Sequence, residues 1–349
     1  MSDATITSLG PSAQRLIRVS GSADVGEARR HSADLADMLA LDPTAAGRLA
    51  LGVNEAGSNI VKHAGEGCML LRALHCQGRG AVEVLALDRG SGMANIADCM
   101  RDGFSTAGSP GTGLGALSRL SGDFSILSHP GKGTALRFTV GARLEASLRG
   151  RTVSMGAVCV PKTGETACGD GWALLRYGAA HTVLVVDGLG HGVEAAVAAN
   201  AAIDIALRHA QGLSAAELIA RLHAGLHATR GAAGAAVVVD LAQASGSVCG
   251  IGNISVAVRY SGRTRKLVSH NGILGHQKHR MQAFEFAFPP GALLIAHSDG
   301  LDTRWRVEDY LGLENAHPAL IAGILYRDHN RGRDDATALV LRNETGTSR

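Results

Sequence analysis

Three apolar runs in this 349-residue chain end on an aspartate and pass at once into glycine-rich sequence. VLALDRGSG ends its run at Asp88, with Gly90 and Gly92 behind it. VLVVDGLGHG ends at Asp187, followed by Gly188, Gly190 and Gly192, and LLIAHSDG ends at Asp299, followed by Gly300. A short Val/Leu/Ile run bounded by glycine reads as a buried strand. An aspartate at its end sits at the rim of a sheet, where loops gather and sites are built. Asp-Gly alone often marks nothing more than a turn, so the constraint lies in the repetition. Strands with carboxylate tips, alternating with helical stretches, specify an α/β or α+β chain with chemistry at its sheet edges.

The elements between these tips follow from periodicity and punctuation. Arg15–Val19 reads as a strand and Ala23–Leu41 as a helix. Asp42 then caps a second helix, with Pro43 at its first position, running to about His63. Cys68–Cys76 and Ala81–Asp88 alternate as paired strands, and Asp123–Ser128 with Gly133–Val140 read as a closing hairpin. Strands are expected again at Thr152–Val160, Ala173–Tyr177, His181–Asp187, Ala235–Leu241, Ser247–Gly250, Ser255–Tyr260, Ala292–His297 and Thr337–Leu341. Helices are expected at Val193–Leu207, Ala215–His227 and Pro318–Arg327. A polar, basic stretch separates two sets of elements, giving domains at 1–143 and 152–349 joined by a linker at 144–151.

Composition narrows the function. A net charge of +3 and an aromatic content of 3% argue against a nucleic-acid surface. No run of about 18 apolar residues predicts a membrane span, and MSDATITSLG has no signal-peptide pattern. The expectation is a cytoplasmic protein with neither nucleic acid nor membrane as partner. The six cysteines form no C-x-x-C pair and read as reduced thiols. The 46 glycines have no collagen period, and 46% hydrophobic residues supply a core.

In LGVNEAGSNIVKHA, Glu55 and Asn59 lie four positions apart on one helix face. The Asn59 amide oxygen suits Mg²⁺, and Glu55 can polarise an incoming hydroxyl. Asp88 can accept from an adenine amino group, with Gly90 and Gly92 leaving room for the ring against the backbone. SPGTGLGALSRL places Gly111, Gly113 and Gly115 at a helix start, where free backbone N–H groups suit phosphates. In this order the motifs resemble the GHKL ATP-binding fold of histidine kinases, gyrase, chaperone ATPases and MutL. With the tail DFSILSHPGKGTALRFTV, the segment Arg15–Gly141 is similar to the bacterial anti-sigma-factor serine kinases, in the switch-kinase branch that phosphorylates a STAS-domain antagonist. That resemblance implies Asn59 as the Mg²⁺ ligand and Glu55 as the residue assisting transfer. It implies an ATP site of Asp88, Gly90, Gly92, Gly111, Thr112, Gly113, Leu114 and Gly115, with a mobile lid over Ser105–Thr112. His63 matches the end of the family's helix and reads as structural.

The second half adds Asp170 in CGDGWA, and Asp334 and Asp335 in RGRDDATALVLR, to Asp187 and Asp299. Carboxylates at several strand ends can converge on one pocket, and an all-oxygen cluster suits Mg²⁺ or Mn²⁺. Two such ions can share a water and clamp a phosphoryl group. The whole set, with G-N at Asn253 and D-G-x-G-H-G at His191, resembles the PPM metal-dependent protein phosphatases of the short SpoIIE type over Val153–Arg342. By that resemblance Asp187 bridges two Mn²⁺ or Mg²⁺ ions, and the Gly188 carbonyl is a further ligand. Asp299 and Asp334 complete the first ion's shell. Asp170 lies on the second ion's side through water, Asp335 stands behind the ligands, and Asn253 is structural. The chain departs from the family pattern at Cys168, where a second glycine usually precedes Asp170.

Together the two resemblances imply a GHKL α/β sandwich followed by a PPM-type αββα sandwich. They imply ATP with Mg²⁺ in the first domain and two Mn²⁺ or Mg²⁺ ions in the second. The implied partners are a STAS-domain antagonist, in phosphorylated and unphosphorylated forms, and a sigma factor or other regulator in a stress response. The alternative for the first domain is a non-catalytic regulatory or sigma-factor-binding module that controls the phosphatase.

Overall fold

The computed structural model describes residues 7–9, 14–76, 79–101, 113–142, 153–276 and 281–344. In chain order, β1 (Thr7–Leu9) and β2 (Arg15–Val19) precede α1 (Ser22–Met38) and α2 (Pro43–His63). Then come β3 (Gly67–Cys76), β4 (Arg79–Asp88), α3 (Ile96–Cys99), α4 (Gly113–Leu120), β5 (Asp123–His129) and β6 (Gly133–Gly141). The chain continues through β7 (Val153–Val160), β8 (Asp170–Tyr177), β9 (Ala180–Gly188), α5 (Val193–His209) and α6 (Ala215–Gly225). It ends with β10 (Ala232–Asp240), β11 (Ser245–Ile251), β12 (Ser255–Tyr260), β13 (Arg263–Leu267), β14 (Phe284–Ala287), β15 (Leu293–His297), α7 (Pro318–His329) and β16 (Ala336–Asn343). Among the described residues no helix is long and apolar enough to cross a membrane.

These elements form two compact units that interleave in sequence. The single-sheet unit takes β2 through β6 and also Arg306–Arg327, which carries most of α7. The two-sheet unit takes β1, the chain from β7 to Trp305, and the chain from Asp328 through β16. The sequence places one boundary at 144–151, a stretch outside the described residues. By packing, β1 groups with the later set of elements and Arg306–Arg327 with the earlier one.

In the single-sheet unit five antiparallel strands run in the order β2-β3-β4-β6-β5. α2 starts where the sequence predicts, because the Asp42 carboxylate accepts from Ala45 N–H at 2.9 Å and Pro43 needs no partner. Its buried residues Ala45, Leu49, Val53, Ala56 and Ile60 follow a 3.6-residue stripe onto one sheet face. Val82, Val84, Ala86, Leu136 and Phe138 meet them there. The opposite face of the same strands is buried as well: Leu70, Leu85 and Leu87 are each at most 1% exposed. Among them, Glu83 is clamped by Arg72 at 2.5 Å and by Arg137 at 2.7 Å. Gly323 of α7 packs on this second face, so close that a Cβ there would lie 2.8 Å from Leu85 Cδ2.

The two-sheet unit stacks a six-stranded sheet, β1-β8-β9-β10-β11-β14, on a five-stranded one, β13-β12-β15-β16-β7. Trp172, Leu174, Val183, Val185 and Val237 from the first sheet interleave with Val256, Leu294, Leu339 and Leu341 from the second. α5 and α6 cover the outer face of the six-stranded sheet through Ala199, Ala202, Ile203, Leu218 and Leu222. The two stacked sheets and the helical layer on one of them match the expected sandwich, while most of α7 is grouped in the other unit. The sequence reading does not contain β1, β13 or β14.

Candidate functional sites

In the single-sheet unit, α2, the tips of β4 and β6, and α4 enclose a cavity of about 390 Å³. Glu55, Asn59, Asp88, Gly92, Gly113 and Leu114 all line it, so six of the sequence-predicted residues come together. Helical spacing puts Glu55 and Asn59 on the same side of α2, one turn apart. Asp88 Oδ1 accepts from Gly90 N–H at 2.8 Å and from Thr134 N–H at 3.1 Å. Burial pushes the Asp88 carboxyl above its ordinary range, and those two hydrogen bonds and the Arg327 charge pull against it.

The glycines here serve the protein's own packing. Gly92 has φ +69°, and a Cβ on it would lie 1.9 Å from the His129 carbonyl oxygen. A Cβ on Gly90 would meet the Ala64 Cβ and His63 carbonyl oxygen at 2.8 Å, and one on Gly113 would meet Glu55 Oε1 at 2.0 Å. The sequence reading gives Gly90 and Gly92 to the nucleotide; in the structure Gly92 lines the cavity, and a side chain at either position would also collide with the end of α2 or the β5–β6 turn. Gly115 is buried inside α4. Gly111, Thr112 and the rest of the expected lid fall outside the described residues. The sequence reading assigns no role to Thr134, Met93, Asn95 or Asp98, which also line the cavity. Thr134 follows the Gly-Lys-Gly turn already noted in the tail motif, and Met93 N–H is tied to Ser128 Oγ at 2.9 Å.

A second cavity of about 390 Å³ lies in the two-sheet unit and is lined by Asp187, Asp299, Asp334 and Asn253, with Asn271 and Ile273. No cationic side chain lines it among the described residues. Asp187 is the penultimate residue of β9, Asp299 follows β15 and Asp334 precedes β16, so three separate elements deliver the carboxylates. Burial and the charges of Asp170, Asp299, Asp334 and Asp335 push the Asp187 carboxyl well up. Like charges gathered without a counter-charge, on oxygen donors only, fit a hard divalent cation. Among the described residues no three His, Cys, Asp or Glu side chains converge tightly enough to hold an ion by themselves. An ion there would take part of its shell from water and carbonyl oxygens, as hard ions do.

Asp170 is placed differently from the other three. It pairs in register with Asp187 across β8 and β9, yet it is 5% exposed and lies outside the cavity lining. Ser298 Oγ donates to its Oδ2 at 2.6 Å and accepts from Thr337 N–H at 3.0 Å. Asp335 is structural: its two oxygens accept from Lys162 N–H at 2.8 Å and Gly169 N–H at 2.9 Å, fixing the turn that leads into Asp170. Cys168, the departure from the family pattern, rests its sulfur 3.7 Å from Cys159 Sγ in that same turn. Asn253 does more than form a turn, because its Nδ2 donates to Asp299 Oδ2 at 2.6 Å. Gly188 is required by packing, since a Cβ would lie 2.1 Å from the Ala195 carbonyl oxygen. His191 is exposed and pairs with Glu165 at 2.7 Å. Ser298 escaped the sequence reading although it precedes Asp299 in the S-D-G motif.

Comparison with known proteins identifies two stretches of the chain. Residues 178–344 match the family described as Stage II sporulation protein E (SpoIIE). Residues 20–140 match the family described as histidine kinase-like ATPase domain. Over 124 residues the chain is 31% identical to the serine/threonine-protein kinase RsbT of Bacillus subtilis, covering 36% of this chain and 93% of that one. Among solved structures, a chain from work entitled "The bacterial stressosome: a modular system that has been adapted to control secondary messenger signaling" superposes with a TM-score of 0.52 at 27% identity. That match covers 55% of this chain and 100% of the other. RsbX in complex with magnesium is similar at 19% identity and a TM-score of 0.49, over 55% of this chain and 96% of the other.

Proposed function

The chain belongs, through residues 20–140, to the family of the serine/threonine-protein kinase RsbT and carries a SpoIIE phosphatase domain behind it, and from that premise we propose that one polypeptide adds and removes phosphate on STAS-domain antagonist proteins. The observation that carries the reading is the pair of separate carboxylate-lined cavities, one around Glu55, Asn59 and Asp88, the other around Asp187, Asp299 and Asp334.

In the first cavity Asp88 takes both backbone donors on Oδ1, which leaves Oδ2 to accept from the amino group of an adenine. Asn59 would hold the Mg²⁺ that accompanies ATP, and Glu55 would take the proton from a serine or threonine hydroxyl. Thr134 and Gly90 fix the Asp88 carboxylate before any ligand arrives, so little ordering cost falls on binding.

In the second cavity Asp187, Asp299 and Asp334 would hold the Mn²⁺ or Mg²⁺ ions, which when bound supply an activated water and polarise a phosphoryl group. The chain's own contribution is orientation. Asn253 fixes the direction of the Asp299 carboxylate, and Ser298 fixes that of Asp170. Such partners behind a ligand hold its geometry and tune its basicity. Opposed activities of this kind set the phosphorylation level of the antagonist and, through it, the freedom of a sigma factor or other regulator.

The test uses the intact protein with γ-labelled ATP, Mn²⁺ and a purified STAS-domain antagonist protein. Label should appear on the STAS protein and then decay. Asn59→Ala should abolish its appearance, and Asp187→Asn should abolish its decay. If Asp187→Asn leaves the decay unchanged, the phosphatase assignment falls. If no label transfers while ATP binds, the first domain is a regulatory module.

A further inference from the structure

Residues Asp299 and Asp334, both on the phosphatase cavity, bracket the segment Arg306–Arg327, which folds as part of the nucleotide-binding unit. In the two-sheet unit the two ends of this excursion are tied into a neck. Arg331 N–H donates to Gly300 O at 2.9 Å, Leu301 bridges Asn330, and Asp302 N–H donates to His329 O at 2.8 Å. Trp305, the last residue before the segment, donates from Nε1 to His297 Nε2 at 3.0 Å. That bond leaves the His297 proton on Nδ1, which faces Ser298 O at 2.8 Å. Ser298 in turn holds Asp170. The neck is therefore wired to the residues on either side of Asp299 and lies three residues before Asp334.

At its other end the segment is fastened to the nucleotide cavity. Arg327 Nη1 donates to the main-chain carbonyl of Asp88 at 2.7 Å, and Arg89 donates to the carbonyl of Arg327. Gly323 packs on Leu85 and Leu87 of β4, the strand that ends in Asp88. His129 Nε2 meets Leu311 O at 2.6 Å, and Lys132 lies 5.1 Å above the Tyr310 ring. A ligand on the Asp88 carboxylate acts on the same residue whose carbonyl anchors Arg327. Arg327 is separated from the neck residue His329 by a single position.

We infer that purine nucleotide bound at Asp88 controls the phosphatase cavity of the same chain, with Arg306–Arg327 as the strap that carries the coupling. The inference rests on the nucleotide reading of the Asp88 cavity. It goes beyond that reading by making the nucleotide an effector of hydrolysis, independently of its use as phosphate donor. A shift of β4 and Asp88 on binding moves Arg327, and the neck transmits it to the spacing of Asp299 and Asp334. By linkage the binding part of the effect is reciprocal: the factor by which nucleotide changes Mn²⁺ affinity at the phosphatase cavity is the factor by which Mn²⁺ changes nucleotide affinity.

The experiment uses the full chain and p-nitrophenyl phosphate, which the kinase cannot use, at a fixed free Mn²⁺ concentration. Turnover is measured with and without saturating ADP or a non-transferable ATP analogue, and nucleotide binding is measured separately by fluorescence of a labelled ADP. Nucleotide should change turnover by about 5-fold or more, the lower end of typical coupling. Hydrogen exchange at the neck amides of Asp302 and Arg331 should change with it. Arg327→Gln, and independently Trp305→Phe, should bring the ratio of the two rates towards one while nucleotide still binds. Nucleotide that binds without changing either turnover or neck exchange overturns the coupling and leaves the nucleotide reading standing. Failure to bind nucleotide overturns both.

Discussion

Ser298 shows how much of a site can rest on a residue that does not line it. Its hydroxyl donates to Asp170 and accepts from Thr337 N–H, so both of its hydrogen-bonding roles are spent on holding one buried carboxylate. Ser298→Ala removes the donor and leaves Asp170 with one fewer partner at 5% exposure. The Mn²⁺ concentration for half-maximal phosphatase activity should rise by about ten-fold, the usual scale for losing such a supporting contact. A metal titration of p-nitrophenyl phosphate hydrolysis reads it directly. A second residue-scale prediction concerns pH. His181 is 3% exposed, and burial, with help from Arg176, lowers its pKa to about 4. Its unfolded-state value of 6.5 is higher, so between those values the unfolded chain binds the extra proton. Stability should fall as pH drops from 6.5 towards 4, and His181→Leu should flatten that limb in urea titrations across the range. Asp88, Asp187 and Asp299 were legible in the sequence because each follows an apolar run and leads into glycine-rich sequence. Ser298, Thr134 and the second role of Asn253 were not, because a hydroxyl or amide beside a motif looks the same whether it braces a carboxylate or faces water.

β4 carries the same lesson at the level of an element. Its sequence AVEVLALD is apolar on both faces: Val82, Val84 and Ala86 meet the helices, and Leu85 and Leu87 meet the other side. Such a strand reads correctly as buried, but the pattern does not say what lies on each face. Glu83 sits on the second face between Arg72 and Arg137. Burial opposes its ionisation, yet the two guanidinium groups win and hold its carboxyl at about 2. Its ion pairs therefore stabilise the fold fully above its ordinary value of 4.5 and are lost as pH falls from there towards 2. Glu83→Gln leaves two buried cations short of a counter-charge. It should destabilise the single-sheet unit by about 3–5 kcal/mol at neutral pH, measured by urea unfolding. Where local signals were strong, elements matched their sequence reading closely. α2 begins at Asp42-Pro43, and the β5–β6 hairpin brackets Pro-Gly-Lys. β13 was missed because its sequence RTRKL has no apolar periodicity, and β14 because the alternation in FEFA is only four residues long. Their partners β12 and β11 decide their conformation.

For the whole molecule, sequence order and structural order part company. The chain reads as two consecutive domains, yet β1 completes the six-stranded sheet of the later one and Arg306–Arg327 folds with the earlier one. No local signal could reveal this. A helix such as α7, which starts at Pro318, carries its apolar residues whichever sheet it serves, and it is buried from Pro318 to Tyr326. The expected consequence is that the kinase-family match at 20–140 is less stable by itself than within the intact chain. A fragment of residues 14–142 would leave Leu85 and Leu87 without the helix that packs on them. Each leucine returned to water costs about 1.5–3 kcal/mol, a large share of a domain's stability. That fragment should bind a hydrophobic dye, unfold at lower urea than the same unit in the intact chain, and aggregate on concentration. Adding a peptide of residues 306–329 should quench the dye signal and raise the urea midpoint, because it restores the missing packing. A fragment that is monomeric, dye-silent and as resistant to urea as the intact unit would show that β4 does not need α7, and would remove the strap's foothold on the nucleotide cavity.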